Sequence, residues 1–297
     1  MTASAVRRRR SAFAAGLATV AMALGFAAIP AEAAPVPDVD LVAVGDSYTA
    51  GVGAGSYITP PPCVKTDGGY VNILTALAIV DDVVSNGACG GAIIPDDGPG
   101  GIPSVMEQIA ALDASEGLSG RTELVTLTAG ANDLDFTTPL AVCAVSTIDV
   151  CLQTIQAGQT RFPVIQADLV EALTAIHQAA PRTKIVVSGY PLLFDPAGGP
   201  TLLTPDAQRL VNAGTMALNY TITQAVATAN AAAKANAVYV DVTEEFAGHA
   251  INSAVPWINF NPADPFALQN FHPNAEGHQA YADALTAAVN LQALARR

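Results

Sequence analysis

Positive charge is scarce in this sequence. It has 13 lysine and arginine residues against 26 aspartate and glutamate residues, which gives a formal net charge of −13 at pH 7. Four of the arginines and one glutamate lie within residues 1–33, so the remainder carries 9 basic and 25 acidic side chains. A chain of that charge is repelled by nucleic acids and by anionic membrane surfaces. We therefore expect no nucleic-acid partner.

Long apolar runs are missing beyond the N-terminus. No stretch after residue 36 approaches the roughly 18 apolar residues of a membrane-spanning helix, so we expect no stable membrane insertion. Arginines at 7–10, an apolar stretch over 12–30 and the small-x-small site Ala31-Glu32-Ala33 predict a secretory signal peptide over residues 1–33. Residues 34–297 would then be a single secreted domain. The alternative for residues 1–33 is a membrane anchor. If the segment is a signal peptide, the general secretory route fits it better than twin-arginine export.

Cysteine is limited to four residues, and none of them lies in a C-x-x-C motif or near a histidine cluster. We therefore expect no metal site and no cofactor. An even number of cysteines in an exported chain predicts disulfides. Three pairings are possible. The simplest is Cys63–Cys89 with Cys143–Cys151, because the last two cysteines are close in sequence with a polar, turn-like insert between them.

Three common motifs are also absent. The glycines at 51, 53 and 55 have no following Lys-Ser/Thr, which excludes a P-loop, and they do not match the G-x-G-x-x-G dinucleotide motif. Thr49 stands two residues after Ser47, so the G-x-S-x-G signature of α/β-hydrolases is missing as well.

What the sequence does have is a regular alternation of short apolar runs and helix-like segments. The predicted strands are 39–44, 79–84, 123–128, 184–188 and 237–242. The predicted helices are 70–78, 102–112, 162–180, 204–232 and 277–295. Alternation of this kind predicts an α/β fold in which helices cover both faces of a parallel sheet.

Glycine-bearing loops with polar groups follow the first three predicted strands. They are Gly45-Asp46-Ser47, Cys89-Gly90-Gly91-Ala92 and Gly130-Ala131-Asn132-Asp133. The carboxyl ends of parallel strands share one edge of the sheet, so we expect these loops to converge there. A serine in that position is either a helix N-cap or a nucleophile whose oxyanion is met by backbone N–H groups.

Of the four histidines, His272 is the best general-base candidate because the following Pro273 biases it towards an extended loop. His177 falls in an amphipathic helix and His249 in a loop. His278 lies in the first turn of the last helix, where a packing role is expected.

Taken in order, Gly45-Asp46-Ser47, Gly91, Gly130-x-Asn132 and His272-Pro273 resemble the four sequence blocks of the GDSL esterases and lipases, the SGNH hydrolases. The similarity extends from residue 39 to about residue 290. It implies a three-layer α/β/α, flavodoxin-like fold with a five-stranded parallel sheet. The cysteine positions resemble those of the secreted actinobacterial branch, which supports the pairing chosen above.

The resemblance also implies roles for these residues. Ser47 would be the nucleophile and His272 its base. The backbone N–H groups of Ser47 and Gly91 and the side-chain amide of Asn132 would form the oxyanion hole.

One position departs from the family pattern. The last block is usually D-x-x-H, in which the aspartate orients the histidine, whereas Gln269 stands three residues before His272. A loop carbonyl, with that of Gln269 as the first candidate, would accept the His272 Nδ1–H in a dyad. The Gln269 side chain is a second candidate. Asp264 or another distant carboxylate is a third, and it would restore a triad.

The leading hypothesis is therefore a secreted, monomeric serine esterase or lipase that cleaves carboxylic esters. Apolar loops at 48–57, 134–140, 192–194 and 257–260 are expected to line its pocket, and 95–103 is the candidate lid. The ester could come from a lipid, an acylglycerol or an acylated sugar. A carbohydrate O-acetyl esterase is one alternative. A catalytically impaired binding protein with the same fold is the other.

Overall fold

Five parallel strands form the central sheet of the molecule. The structure, a computed structural model, describes residues 38–81, 84–96 and 99–296. The sheet contains β1 (Leu41–Gly45), β4 (Ser85–Asn86), β5 (Leu124–Thr128), β6 (Lys184–Ser188) and β7 (Ala237–Val240) in the spatial order β4-β1-β5-β6-β7. A separate antiparallel pair is formed by β2 (Tyr57–Thr59) and β3 (Lys65–Thr66). Counting sheet strands alone, the order is the flavodoxin-like 2-1-3-4-5, with its switch point between β1 and β5.

Helices cover both faces of this sheet. Their bounds are α1 (Tyr70–Thr75), α2 (Val105–Ala114), α3 (Thr137–Val145), α4 (Ile148–Gln159), α5 (Phe162–Ala179), α6 (Pro205–Ala233), α7 (Ala275–Ala288) and α8 (Leu291–Leu294). Helices α1 and α7 pack together, whereas α5 packs between α2 and α6, and α4 packs against α6. Every residue of β1 and β5 is buried, as expected for strands covered on both faces. The predicted three-layer α/β/α fold with a five-stranded parallel sheet is confirmed.

The prediction was wrong about the second strand. Residues 79–84 were expected to form the second strand, but the strand that pairs with β1 is Ser85–Asn86, and within the described part of 79–84 Val80 makes an isolated bridge to Val39. Val80, which belongs to this apolar run, is buried in the core. This edge strand has one neighbour, β1, and pairs with it through two residues.

Several helix boundaries also differ from the prediction. Helix α2 begins after Ser104, whose side chain forms a capping box with Glu107. The predicted helix 277–295 is two helices, because α7 ends at Ala288 and Asn290 caps the short α8. Helices α3 and α4 and the β2–β3 pair were not predicted.

Both predicted disulfides, Cys63–Cys89 and Cys143–Cys151, are present. The second joins α3 to α4, so the insert between its cysteines consists of helix ends around a short turn. Within the described residues no helix has the length and apolar character to cross a membrane. The signal-peptide prediction for residues 1–33 lies outside the described part of the chain.

Candidate active site

Ser47 and His272 are brought into contact although 225 residues separate them. Ser47 follows β1 by two residues, and only 9% of its surface is exposed. Its Oγ lies 2.7 Å from Nε2 of His272, within hydrogen-bond distance. An imidazole in this position can take the hydroxyl proton and so make the oxygen nucleophilic.

A glycine in the loop after Ser47 lets the two chain segments approach. Gly53 has φ +106°, and a Cβ there would collide with the Pro273 carbonyl oxygen and lie 2.9 Å from the His272 Cβ. Asn259 stabilises this contact, since its Nδ2 donates to the carbonyl oxygens of Gly53 (3.0 Å) and His272 (3.1 Å). The histidine segment is therefore fixed directly to the serine loop.

The residue before the histidine holds an unusual backbone conformation. Phe271 has φ +64°, a region that bulky side chains rarely adopt. Its N–H donates to the Asn259 carbonyl at 2.8 Å, and its carbonyl accepts from the Tyr48 hydroxyl at 2.7 Å. These bonds stabilise the turn that directs the His272 ring towards Ser47.

The His272 ring is held in its neutral form. Burial lowers its pKa to about 4, while the nearby backbone carbonyls of residues 268–270 act in the opposite direction with smaller effect. Nδ1 is buried, and no described residue completes a hydrogen bond to it. The Gln269 side chain is exposed, and neither it nor Asp264 bonds to the ring among the described residues. The Gln269 carbonyl accepts from the His272 backbone N–H at 3.2 Å.

The low pKa of His272 predicts the acid limb of the pH profile. As the candidate base, His272 would accept a proton only when neutral, so kcat/KM should stay high as pH falls from neutral and decline only near pH 4. The measurement is kcat/KM for a short-chain ester between pH 3 and 8. Asp46 also titrates in this range, so the profile is repeated with Asp46→Asn. A limb near 6.5 that persists in this variant would contradict the prediction.

At or near Ser47, three hydrogen-bond donors each have an N–H proton that no described protein group accepts. Within the described residues the backbone N–H groups of Ser47 and Gly91 donate to no protein acceptor. Asn132 Nδ2 donates one proton to the Ala92 carbonyl at 2.9 Å, which leaves its second proton free. Gly91 has φ +84°, a conformation suited to glycine that turns the chain at this point. Donors of this kind stabilise an oxyanion.

Behind Ser47 lies a polar network that sequence analysis missed. Asp46 is buried, its Oδ1 accepts from the Tyr48 N–H at 2.9 Å, and its Oδ2 accepts from the Tyr190 hydroxyl at 2.5 Å. The same hydroxyl accepts from the Ala131 N–H at 3.2 Å. Tyr190 thus links the serine loop to the Asn132 loop. Burial raises the pKa of Asp46 to about 7, although both hydrogen bonds oppose the shift and nearby Asp133 adds to it. Tyr190 lies just after β6, at the same sheet edge, and this position could have identified it as a site residue from the sequence.

A cleft of about 820 Å³ opens over these groups. Its walls include Ser47, Gly91, Asn132 and His272. All four predicted pocket loops contribute to the cleft, through Val52, Phe136 with Leu140, Phe194 and Phe260 respectively. Part of the candidate lid, at Gly100 and Ile102, lines the cleft, whereas residues 97 and 98 lie outside the described part of the chain.

The other histidines take no part in this arrangement. His278 is fully buried, with Nε2 3.2 Å from the Val52 carbonyl and Nδ1 accepting from the Tyr70 N–H at 3.3 Å. This is the packing role expected for it. His249 stacks on Trp257 with ring centroids 3.6 Å apart. Within the described residues no cluster of histidine, cysteine or carboxylate side chains could hold a metal ion.

The fold and this site together define a parallel α/β/α protein with a serine–histidine pair at the switch point of its sheet. A model of the GDSL-like lipase/acylhydrolase family matches residues 43–280. The chain belongs to this family, as the four sequence blocks indicated, and it is a carboxylic ester hydrolase.

Relatives cover nearly the whole chain. A lipase of Streptomyces rimosus is 29% identical over 273 residues, which are 91% of this chain and 94% of the relative. Lipase 2 of Streptomyces coelicolor is 30% identical, over 95% of this chain and 97% of its own length. The crystal structure of an extracellular lipase from Streptomyces rimosus superposes with a TM-score of 0.69 at 25% identity, covering 84% of this chain and all of that one.

Proposed function

We propose that this protein is a secreted serine esterase or lipase that works through a Ser47–His272 dyad. The observation that carries the proposal is the 2.7 Å contact between Ser47 Oγ and His272 Nε2, beside free donors in an open cleft. His272 Nε2 takes the hydroxyl proton as Oγ attacks the ester carbonyl carbon. The tetrahedral intermediate then collapses, and the departing alcohol takes the proton from Nε2. Water, activated by the same nitrogen, attacks the acyl-serine, and the acid leaves as Ser47 regains its proton.

The oxyanion of both intermediates would be held by the N–H groups of Ser47 and Gly91 and by the Asn132 amide. Asn132→Ala is expected to lower kcat by about 10²–10³ with a smaller change in KM, because the bond to the oxyanion strengthens only in the transition state. Steady-state kinetics on a short-chain ester test this. Thermal unfolding of the variant shows whether loss of the bond to the Ala92 carbonyl has disturbed the loop. A kcat within tenfold of wild type in a folded variant would remove Asn132 from the oxyanion hole.

The loop carbonyls of residues 268–270 would orient the imidazole, with the Nδ1 proton facing them. The direction of their effect on the pKa of His272 supports this assignment, as does the exposure of the Gln269 side chain. Gln269→Ala and Asp264→Asn should therefore each keep kcat within about threefold of wild type. A loss of several hundredfold in the first variant at unchanged stability would implicate the Gln269 amide, and the same loss in the second would implicate a carboxylate.

Export and domain organisation complete the proposal. Residues 1–33 would direct secretion and be removed, leaving residues 34–297 as one monomeric domain. The two disulfides support an oxidising destination. The similar lipase of Streptomyces rimosus is extracellular, which supports the same destination. N-terminal sequencing of protein recovered from the culture medium, with sizing by light scattering, tests both statements.

The ester class is proposed to be a lipid or other apolar acyl ester, because most side chains around the cleft are apolar. A hydrolysis panel of p-nitrophenyl esters, triacylglycerols and acetylated sugars tests this, with Ser47→Ala as the blank. Rapid turnover of acetylated sugars alone would favour the carbohydrate O-acetyl esterase alternative instead. Absence of turnover on every ester would favour the binding-protein alternative.

A further inference from the structure

A second, smaller cavity of about 100 Å³ meets the cleft at Ser47. We call it the inner cavity. It lies among helices α3 to α6, and apolar side chains form most of its wall, among them Leu140, Ile155, Phe162 and Leu218. Ser47 and Asn132 line both spaces, whereas His272 and Gly91 line only the cleft.

This division offers separate spaces for the alcohol and for the acyl chain of an ester. The leaving alcohol must receive its proton from His272 Nε2, so its oxygen faces the histidine and the alcohol occupies the cleft. The acyl chain extends from the ester carbonyl carbon in another direction. The inner cavity begins beside Ser47 but does not reach His272, which makes it the space open to the acyl chain.

Two glycines widen the inner cavity at positions where neither helix requires them. Gly158 lies in α4 and Gly214 in α6, and both line the cavity. Neither has a positive φ. A Cβ at Gly214 would lie 3.5 Å from Ile155 Cγ2, an ordinary contact, and one at Gly158 would have no atom within 4 Å. Gly214 lies in the interior of α6, where glycine is less favourable than alanine, whereas Gly158 is the last residue but one of α4. Gly214 therefore lowers the stability of its helix, and both glycines leave open volume in the inner cavity that Ser47 also lines.

We propose that the inner cavity is the acyl subsite and that Gly158, Gly214 and Ile155 set the length of acyl chain it accepts. This inference rests on the proposed function and adds its specificity. An apolar cavity of about 150 Å³ takes up benzene. The inner cavity is somewhat smaller, so we expect an optimum at about four to six acyl carbons, with longer chains extending back into the cleft.

The test compares kcat/KM for p-nitrophenyl acetate, butyrate, hexanoate, octanoate and laurate among four proteins. Wild type should prefer butyrate or hexanoate. Gly214→Leu fills the cavity and should lower the hexanoate-to-acetate ratio by about tenfold or more, and Ile155→Ala enlarges it and should raise the octanoate-to-butyrate ratio by a similar factor. Ala213→Leu is the matched control, because it adds the same side chain at the neighbouring, exposed position of α6.

The outcomes distinguish a failure of the acyl-subsite inference from a failure of the proposed function. If wild type hydrolyses none of the esters, the proposed function falls and the subsite with it. If wild type hydrolyses them and both cavity variants keep its profile, the subsite assignment alone is overturned. The same conclusion follows if Ala213→Leu shifts the profile as much as Gly214→Leu does. Should Gly214→Leu fail to fold, as judged by thermal unfolding, the enlarging variant Ile155→Ala decides the matter by itself.

Discussion

Replacing Ser47 by alanine is expected to lower kcat/KM for a short-chain ester by about 10⁴–10⁶ while the protein remains folded. The variant loses the Ser47 oxygen, which lies 2.7 Å from His272 Nε2. What activity survives would come from water attacking an ester still held by the Gly91 and Asn132 donors. Steady-state kinetics measure the loss, and circular dichroism with thermal unfolding verifies the fold.

A matched control for this variant is Ser115→Ala. Ser115 is an exposed serine at the end of α2, and its hydroxyl bonds only to the Leu112 carbonyl among the described residues. It should retain wild-type turnover. A Ser47→Ala protein that keeps more than about one hundredth of wild-type turnover would mean that the nucleophile is elsewhere.

Replacing His272 by alanine is expected to cost nearly as much, again about 10⁴–10⁶ in kcat/KM. The Ser47 hydroxyl then has no base within reach, because no other described residue bonds to its oxygen. Groups that act as one unit are not additive, so the double variant Ser47→Ala/His272→Ala should be no slower than either single variant by more than about tenfold.

His177→Ala provides the comparison for the histidine variant, since His177 lies on α5 and does not line the cleft. It should keep wild-type turnover. Additive losses in the double variant would show that the serine and the histidine act in separate steps, which contradicts a dyad.

The central part of the fold could be predicted because its strands are buried on both faces. In β1 and β5 this requirement yields uninterrupted apolar runs, which a sequence displays directly. The edge strand β4 carries no such signal. It is two residues long and half-buried, and the apolar run before it belongs to the connection. Helices α3 and α4 were missed because exposed apolar residues such as Val145 and Val150 blur their helical period.

The site was predictable to the extent that it depends on chain topology. Ser47 and Asn132 follow neighbouring parallel strands, so any sheet of this order places them side by side. His272 was identified from its loop position before Pro273 and then from a sequence block, since no strand carries it to the sheet edge. The position of Tyr190 after β6 put it at the sheet edge, but its bond to Asp46 and the bond from Asn259 to Gly53 could not be anticipated. They depend on which side chains face each other after the chain has folded, and spacing in the sequence does not encode that.

The central claim, that Ser47 and His272 act together as nucleophile and base, is tested most directly with a fluorophosphonate. Mass spectrometry of the labelled, folded protein should show one adduct, and peptide mapping should place it on Ser47. The rate of labelling should fall by at least about 10³ in His272→Ala, because the hydroxyl then lacks its base. No adduct on the folded protein, an adduct on another residue, or labelling of His272→Ala at the wild-type rate would contradict the claim.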